Sequence, residues 1–422
     1  VARHGRLKKT TGAGSVAKGI AFVLGVMMAS MTIFGGIVWW NLQSGVETFD
    51  LAENSPKPEG GDQGPAAFVG GVNILLVGSD DRTGQGEEFG EGTAEAEGVL
   101  NDVNMLLHLS ADHSHATVVS IPRDTLVDTP QCVSDTGETI YEQYGVPFNS
   151  ILGPGGMNCV VAAAEELSGL DIQYAAMVQF RGVIEMSNAV GGVEVCVEEP
   201  IDDPYIGLTL DPGFHTLQGE DALKFLRTRH GVGDGSDLSR ISNQQVFLSA
   251  LMRTVKSGDT LTNPTKLYGL ARAATQNMKL SSNLNNVDTL VSLAMALATV
   301  PLDKIAFVRL PVGYTDWDPN KVAPVEPDAE QLWEMLRQDK QPNVQVDESV
   351  VDPNATPEPT DPTGEEGSDG TGDGTDGSTA EEPTQTDEYG EPMIPPTETS
   401  TPQPTLDGQT ADNQTCSNAA AF

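Results

Sequence analysis

The chain has 422 residues, with 61 acidic against 23 basic side chains and a formal net charge of −38. A surface this acidic is repelled by phosphate backbones, which excludes nucleic acid as a partner. The length allows one large domain with appendages, or two domains.

The charge is unevenly placed. Residues 1–18 form a basic N-terminus with Arg3, Arg6, Lys8, Lys9 and Lys18 and no acid. Residues 19–40 follow with no charged side chain, enough to cross a hydrocarbon core of about 30 Å as a helix. The segment reads as a transmembrane anchor, with the flanking lysines holding the N-terminus in the cytoplasm and Trp39 and Trp40 at the far interface. A cleaved signal peptide shares the basic leader and apolar run, but no small-x-small cleavage site follows. The remainder is expected outside the cell, on the cytoplasmic membrane. Residues 41–70 are a Gly-, Pro- and acid-rich linker.

The folded domain is expected from Gly71. Residues 72–78 are a continuous apolar run of strand length that delivers Ser79, Asp80, Asp81 and Arg82 to one edge of a sheet. An acidic, Gly-rich loop occupies 83–98. Residues 103–109 and 116–121, joined by a short polar turn, predict a hairpin. Asp102 starts one of its strands and Arg123 follows the other, so antiparallel pairing brings the two together. Helices are predicted over 156–168, 183–192 and 218–225, from 237 onward, from Asn263–Pro264, and over 284–299 and 330–338. Strands are predicted over 173–180, 193–197 and 305–310. Interleaved strands and helices predict an α/β fold, a central mixed β-sheet covered by helices on both faces. An extension follows over 313–342. The tail, 343–422, holds 18 acids after residue 340 and no Lys or Arg, and lacks the apolar content to bury a core.

Residues 227–245 concentrate Arg227, Arg229 and Arg240 in a chain poor in bases. On an extended segment Arg227 and Arg229 share a face. Gly235, Ser236 and Asp237 begin a helix on which Asp237, Arg240 and Gln244 form a polar stripe continued by Ile241, Leu248, Leu251 and Val255. A helix N-terminus with inward Arg and Gln suits a phosphate; the plainer reading is a solvated start with surface ion pairs. Asp80 and Asp102 are candidate ligands for Mg²⁺, which takes one or two carboxylates and completes its shell with water and phosphate oxygens. The histidines show no ligand spacing, and nucleophile-elbow, HExxH and Walker motifs are absent. Of four cysteines, Cys132 and Cys159 are the preferred disulfide, with Cys196 as a core thiol; sequence leaves three pairings open.

The ordered pieces NILLVGSDDR, the strand pair with Asp102, SIPRDT, FLRTRH and DGSDLSRISNQQ resemble the LytR-CpsA-Psr family, in its actinobacterial form, over 71–256 and on to 312. The resemblance implies a transferase of the cell envelope. It would move a glycopolymer from a polyprenyl-pyrophosphate carrier to peptidoglycan, or to a glycosylated surface protein, using Mg²⁺, with pyrophosphate cleavage as a side activity. On this pattern Asp80 and Asp102 match the metal-binding acids. Arg123, Arg227, Arg229 and Arg240 match the pyrophosphate-binding arginines, with Asp237, Gln244 and Arg82 beside them, and apolar elements enclose the polyprenyl tail. Asp80, Asp102 and Asp124 are candidate bases for an acceptor hydroxyl. One departure is Leu100-Asn101-Asp102-Val103, where many members have Arg-Ser-Asp-Thr. A binder that holds lipid or polymer without turnover, or an envelope regulator, are the alternatives. With about 18 residues before the span, there is no room on that side for a DNA-binding fold.

Overall fold

The computed structural model describes residues 12–43, 47–51, 70–82, 99–233, 235–257, 270, 273–285, 287–345 and 406–417. The chain divides into residues 1–350 with 404–422 and a second unit, 351–403. The basic segment 1–11, most of the linker, the acidic loop 83–98, the helix start at Asn263–Pro264 and the tail over 346–405 lie outside the described residues.

Helix α1, Gly12–Gln43, covers the expected anchor, with exposed apolar side chains such as Phe22, Met31 and Ile33. Over the described residues, no helix is long and apolar enough to cross a membrane.

Strands β1 (Glu47–Phe49), β2 (Val72–Ser79), β3 (Asn101–Leu109), β4 (Ala116–Ile121) and β5 (Tyr174–Val178) belong to the main sheet. A second sheet is built on β6 (Val193–Val197) and β7 (Gly213–Leu217). Then come β8 (Met278–Ser281), β9 (Ile305–Arg309), β10 (Val344–Gln345), β11 (Leu406–Thr410) and β12 (Cys416–Ser417). Among the described residues the main sheet has nine strands in the order β1-β8-β5-β2-β3-β4-β9-β11-β10. It is mixed: β2–β3 and β3–β4 are antiparallel, whereas β2–β5 and β4–β9 are parallel.

The helices around the sheet are α2 (Leu152–Ser168), α3 (Phe180–Val190), α4 (Glu220–Arg227), α5 (Asp237–Ser257), α6 (Val287–Thr299) and α7 (Asp328–Arg337). Alternation along the strands sends successive apolar side chains to opposite faces. Leu75, Val77, Leu106 and Val119 pack on Met157 and Val160 of α2 and on Leu332 and Trp333 of α7. Their neighbours Ile74, Met105, Leu107 and Val118 pack on Leu293 and Ala296 of α6 and Leu248 and Met252 of α5. The sheet is therefore covered on both faces. A further cluster joins Val193, Val195 and Val197 of β6 to Phe225 of α4 and Val246 and Phe247 of α5.

Both ends of the domain lie beyond the expected limits. Phe49, placed in the linker by composition, is buried in the core, and β1 pairs in parallel with β8. The expectation of a disordered tail fails over 406–417. Leu406, Ala411 and Cys416 are buried, β11 pairs antiparallel with β9, and β12 joins β6 in register Cys196↔Cys416. A few apolar residues inside a polar run suffice because they add to sheets that already exist. Cys196 is accordingly no free thiol: it is bridged to Cys416 across 220 residues. The preferred pair Cys132–Cys159 is also bridged.

Candidate functional site

Asn104 is paired with Ile121 on the β3–β4 hairpin. Asp102, two residues before one, therefore meets Arg123, two residues after the other, at the sheet edge. Beside them β2 ends in a register shift at Gly78/Ser79. A side chain at Gly78 would bring its Cβ to 2.9 Å from Val103 Cβ, so glycine permits this close approach beside Asp102.

Arg123 Nη1 donates to Asp102 Oδ1 at 2.6 Å, and its Nε lies 3.2 Å from Asp237 and 3.3 Å from Asp124. Helix α5 starts as expected, with Ser236 Oγ accepting the Ser239 amide. Its first turns face inward. Arg240 Nη2 sits 2.6 Å from Asp237 Oδ1 and donates to the Asp102 carbonyl at 2.8 Å. Arg229 Nη2 is 3.9 Å from Asp237 and 4.0 Å from Asp102. Gln244, buried, donates to the Leu226 carbonyl. Arg227 is exposed, its guanidinium 4.4 Å above the Phe180 ring. Arg82 is exposed but near enough for its charge to act on Arg227.

Two supports escaped the sequence reading. Lys321, from the hairpin of residues 312–324, reaches Asp124 at 2.6 Å. Asp203 is buried and accepts from Thr228 Oγ1 at 2.8 Å and from the Arg229 amide at 3.3 Å. Thr228 is thus pinned inward, leaving Arg227 and Arg229 on its two sides for the site. The Arg-Thr-Arg alternation is visible in sequence; its buried partner Asp203 stands in no motif.

The constellation sets Arg82, Arg123, Arg227, Arg229, Arg240 and Lys321 among Asp80, Asp102, Asp124, Asp203 and Asp237, a concentration of basic side chains in an acidic protein. Burial pushes Arg240 down to about 10 despite Asp237 alongside. Burial likewise opposes the charge on Arg123, but the Asp102 hydrogen bond and the fields of Asp237, Asp102 and Asp124 outweigh it, and its pKa is raised. Among the described residues, Arg123 Nε, Arg240 Nε and both Asp237 oxygens are buried without a well-aligned hydrogen bond. Their charges are close, yet donor capacity is left for an incoming anion.

Burial and the charge of Asp102 raise Asp80, against the hydrogen bond it accepts from the Leu100 amide at 2.9 Å. Burial also disfavours charge on Asp102, but the Arg123 hydrogen bond and the nearby Arg240, Arg123 and Arg229 hold it below the ordinary range. Two carboxylates in mutual repulsion at a half-buried edge suit a hard divalent cation.

Behind the arginines lies a cavity of about 470 Å³. Its walls are largely apolar, among them Val103, Phe180, Val183, Met186, Leu223 and Leu251. Asp102, Arg227, Arg229, Arg240 and Gln244 also line it. One compartment thus joins an anion-binding rim to an oily interior.

Comparison with known proteins follows the same lines. The LytR_cpsA_psr family model matches residues 48–341. The chain is 32% identical over 272 residues to the cell wall biosynthesis protein LcpA of Corynebacterium glutamicum, covering 59% of this chain and 52% of that protein. It is 29% identical over 221 residues to the polyisoprenyl-teichoic acid–peptidoglycan teichoic acid transferase TagU of Oceanobacillus iheyensis, covering 52% and 62%. The matched part thus spans about half to three fifths of these curated relatives. A LytR-Csp2A-Psr enzyme from Actinomyces oris shares the fold, with a TM-score of 0.50 and 20% identity over 70% of this chain and 95% of that one.

Proposed function

Because the chain belongs to the LytR-CpsA-Psr family, we propose that it is a membrane-anchored phosphotransferase of the cell envelope. It moves a glycopolymer from a polyprenyl-pyrophosphate carrier to peptidoglycan, or to a glycosylated surface protein. The observation that carries this reading is the junction of the 470 Å³ apolar cavity with the arginine rim. A polyprenyl tail needs the first and a diphosphate needs the second. The name of the TagU relative, a teichoic acid transferase, supports the same class of reaction.

On this reading Arg227 and Arg229 receive the diphosphate, and Arg123 and Arg240 neutralise the charge that develops as the phosphoryl bond breaks. Asp237 holds Arg123 and Arg240 together before the substrate arrives, and Asp124 with Lys321 fixes the far side of Arg123. Asp80 and Asp102 would hold Mg²⁺, which would offset phosphate charge and align the phosphate oxygens. The acceptor hydroxyl surrenders its proton to a carboxylate. Asp80, Asp102 and Asp124 are the carboxylates of the cluster, and Asp102 is held as an anion by its arginines.

The test is transfer from a polyprenyl-pyrophosphate-linked saccharide to peptidoglycan fragments with Mg²⁺. Arg123→Ala and Arg240→Ala are expected to lower kcat/KM about 100-fold or more, by analogy with loss of a single preorganised donor. Full transfer by both variants overturns the assignment of the site. Tight binding of the donor with no release of polyprenyl phosphate would replace the transferase by a lipid-holding protein.

A further inference from the structure

The other end of the β3–β4 hairpin carries a second cluster. His108 is near the end of β3, His115 immediately precedes β4, and Asp339 lies just past α7. One ligand atom from each lies within 4.8 Å of the other two. In sequence these histidines show no ligand spacing, because the third member is more than 200 positions away. At about 3.4 Å per residue, the six residues from Asp102 to His108 put the cluster about 20 Å from the arginine site.

The hydrogen bonds determine which atoms face each other. Asn73 Nδ2 donates to the Asp171 carbonyl at 2.7 Å, which fixes its amide and turns Oδ1 toward His108. That oxygen is 2.8 Å from His108 Nδ1, so Nδ1 must carry the proton. In the neutral ring His108 Nε2 then has a lone pair, and it stands 3.1 Å from Asp339 Oδ1. Two acceptors at this distance require a cation between them. A proton on His108 would serve that pair but leave His115 unserved. His115 is 9% exposed, its Nδ1 is bonded to Ser114 Oγ at 3.1 Å, and its Nε2 is buried with no partner. Asp339 is held in place by the Ala111 amide, at 3.2 and 3.1 Å from its two oxygens.

We propose that His108, His115 and Asp339 form a binding site for a borderline transition-metal ion, of which Zn²⁺ is the best fit. Two imidazoles and one carboxylate are a common zinc set, with bonds of about 2.0–2.2 Å and ligand atoms roughly 3.3 Å apart on a tetrahedron. The Nε2–Oδ1 separation already matches, and His115 needs to close by at most about 1.5 Å on the same estimate. The contact from Asn73 to His108 Nδ1 is the outer-shell partner that orients a ligating ring. The fourth position is open to water. The ion ties the turn end of the hairpin to the end of α7, away from the phosphate chemistry at its other end.

The experiment uses the untagged full-length chain in detergent, stripped with chelator and titrated with Co²⁺. Visible absorption bands of tetrahedral cobalt are expected at one equivalent, displaced by one equivalent of Zn²⁺. His115→Gln and Asp339→Asn are expected to weaken cobalt binding at least 10-fold while retaining wild-type circular dichroism. Asp339 is 38% exposed, so its amide variant is compatible with folding even if a histidine variant is not. The Asp80→Asn/Asp102→Asn double variant should keep the signal, which separates this site from the one proposed for Mg²⁺. The proposal is overturned by wild-type cobalt affinity in Asp339→Asn, or by the absence of a tetrahedral spectrum in the parent protein.

Discussion

Asp80 and Asp102 are neighbours with opposite shifts, and that difference is measurable. Asp102 has a folded-state pKa below its ordinary 3.8, so its ionised form favours the fold. That contribution is complete above 3.8 and disappears as pH falls through the lower folded value. Asp80 is raised, so its ionisation opposes the fold, with the full penalty present above the folded pKa and absent in acid. At pH 7, without divalent cations, Asp102→Asn should lower stability by about 1–2 kcal/mol, the loss expected for a partly buried pair with several cationic partners. Asp80→Asn should raise it. Thermal melts from pH 7 to 3 check both signs, and the two differences should shrink toward acid. The position of Asp102 against Arg123 follows from two strand ends and a short turn, and so was readable from the chain. Lys321 and Asp203 were not, because each reaches the site from a segment with no local pattern tying it to the arginines.

Helix α5 carries the design of the site along its length. Its N-terminal turn holds Asp237 and Arg240, Gln244 follows, and Phe247, Leu248 and Leu251 continue into the cavity. This polar-then-apolar stripe at helical spacing was explicit in the sequence, as was the serine cap. Leu251→Trp should fill cavity space while leaving the arginines in place. The KM for a long-chain polyprenyl donor should rise about 10-fold, roughly the loss of 1.4 kcal/mol of binding. Binding of a short, soluble diphosphate analogue should be unchanged. Equal loss for both ligands would mean that the cavity does not take the lipid. Where a strand is a continuous apolar run or a helix repeats over several turns, as in β2–β4 and α2, sequence located them within a few residues. The short strands β1, β11 and β12 were lost because they have two to five residues each and make sense only beside a partner strand.

At the scale of the whole molecule, composition sorted the chain into a basic start, an apolar span, a folded middle and an acidic end, and it was at the joints that it misplaced boundaries. Phe49 and Cys416 belong to the folded part although their surroundings are polar, since a single buried contact outweighs the composition of a window. The return of the chain has a bearing on how breakage would look. Val344 pairs with Leu406, and Cys416 is bonded to Cys196, so the 60 residues from 346 to 405 leave and re-enter at adjacent strands. The chain and the Cys196–Cys416 bond together close a covalent circuit. One cut by a protease within it should therefore leave both pieces joined, and migrating as one species, under non-reducing conditions. After reduction, a C-terminal fragment beginning between 346 and 405 should separate on denaturing electrophoresis. Cys416→Ser should release that fragment under denaturing conditions without any reductant, and co-migration in that variant would refute the circuit. A chain joined in this way can be nicked and still carry its last strands.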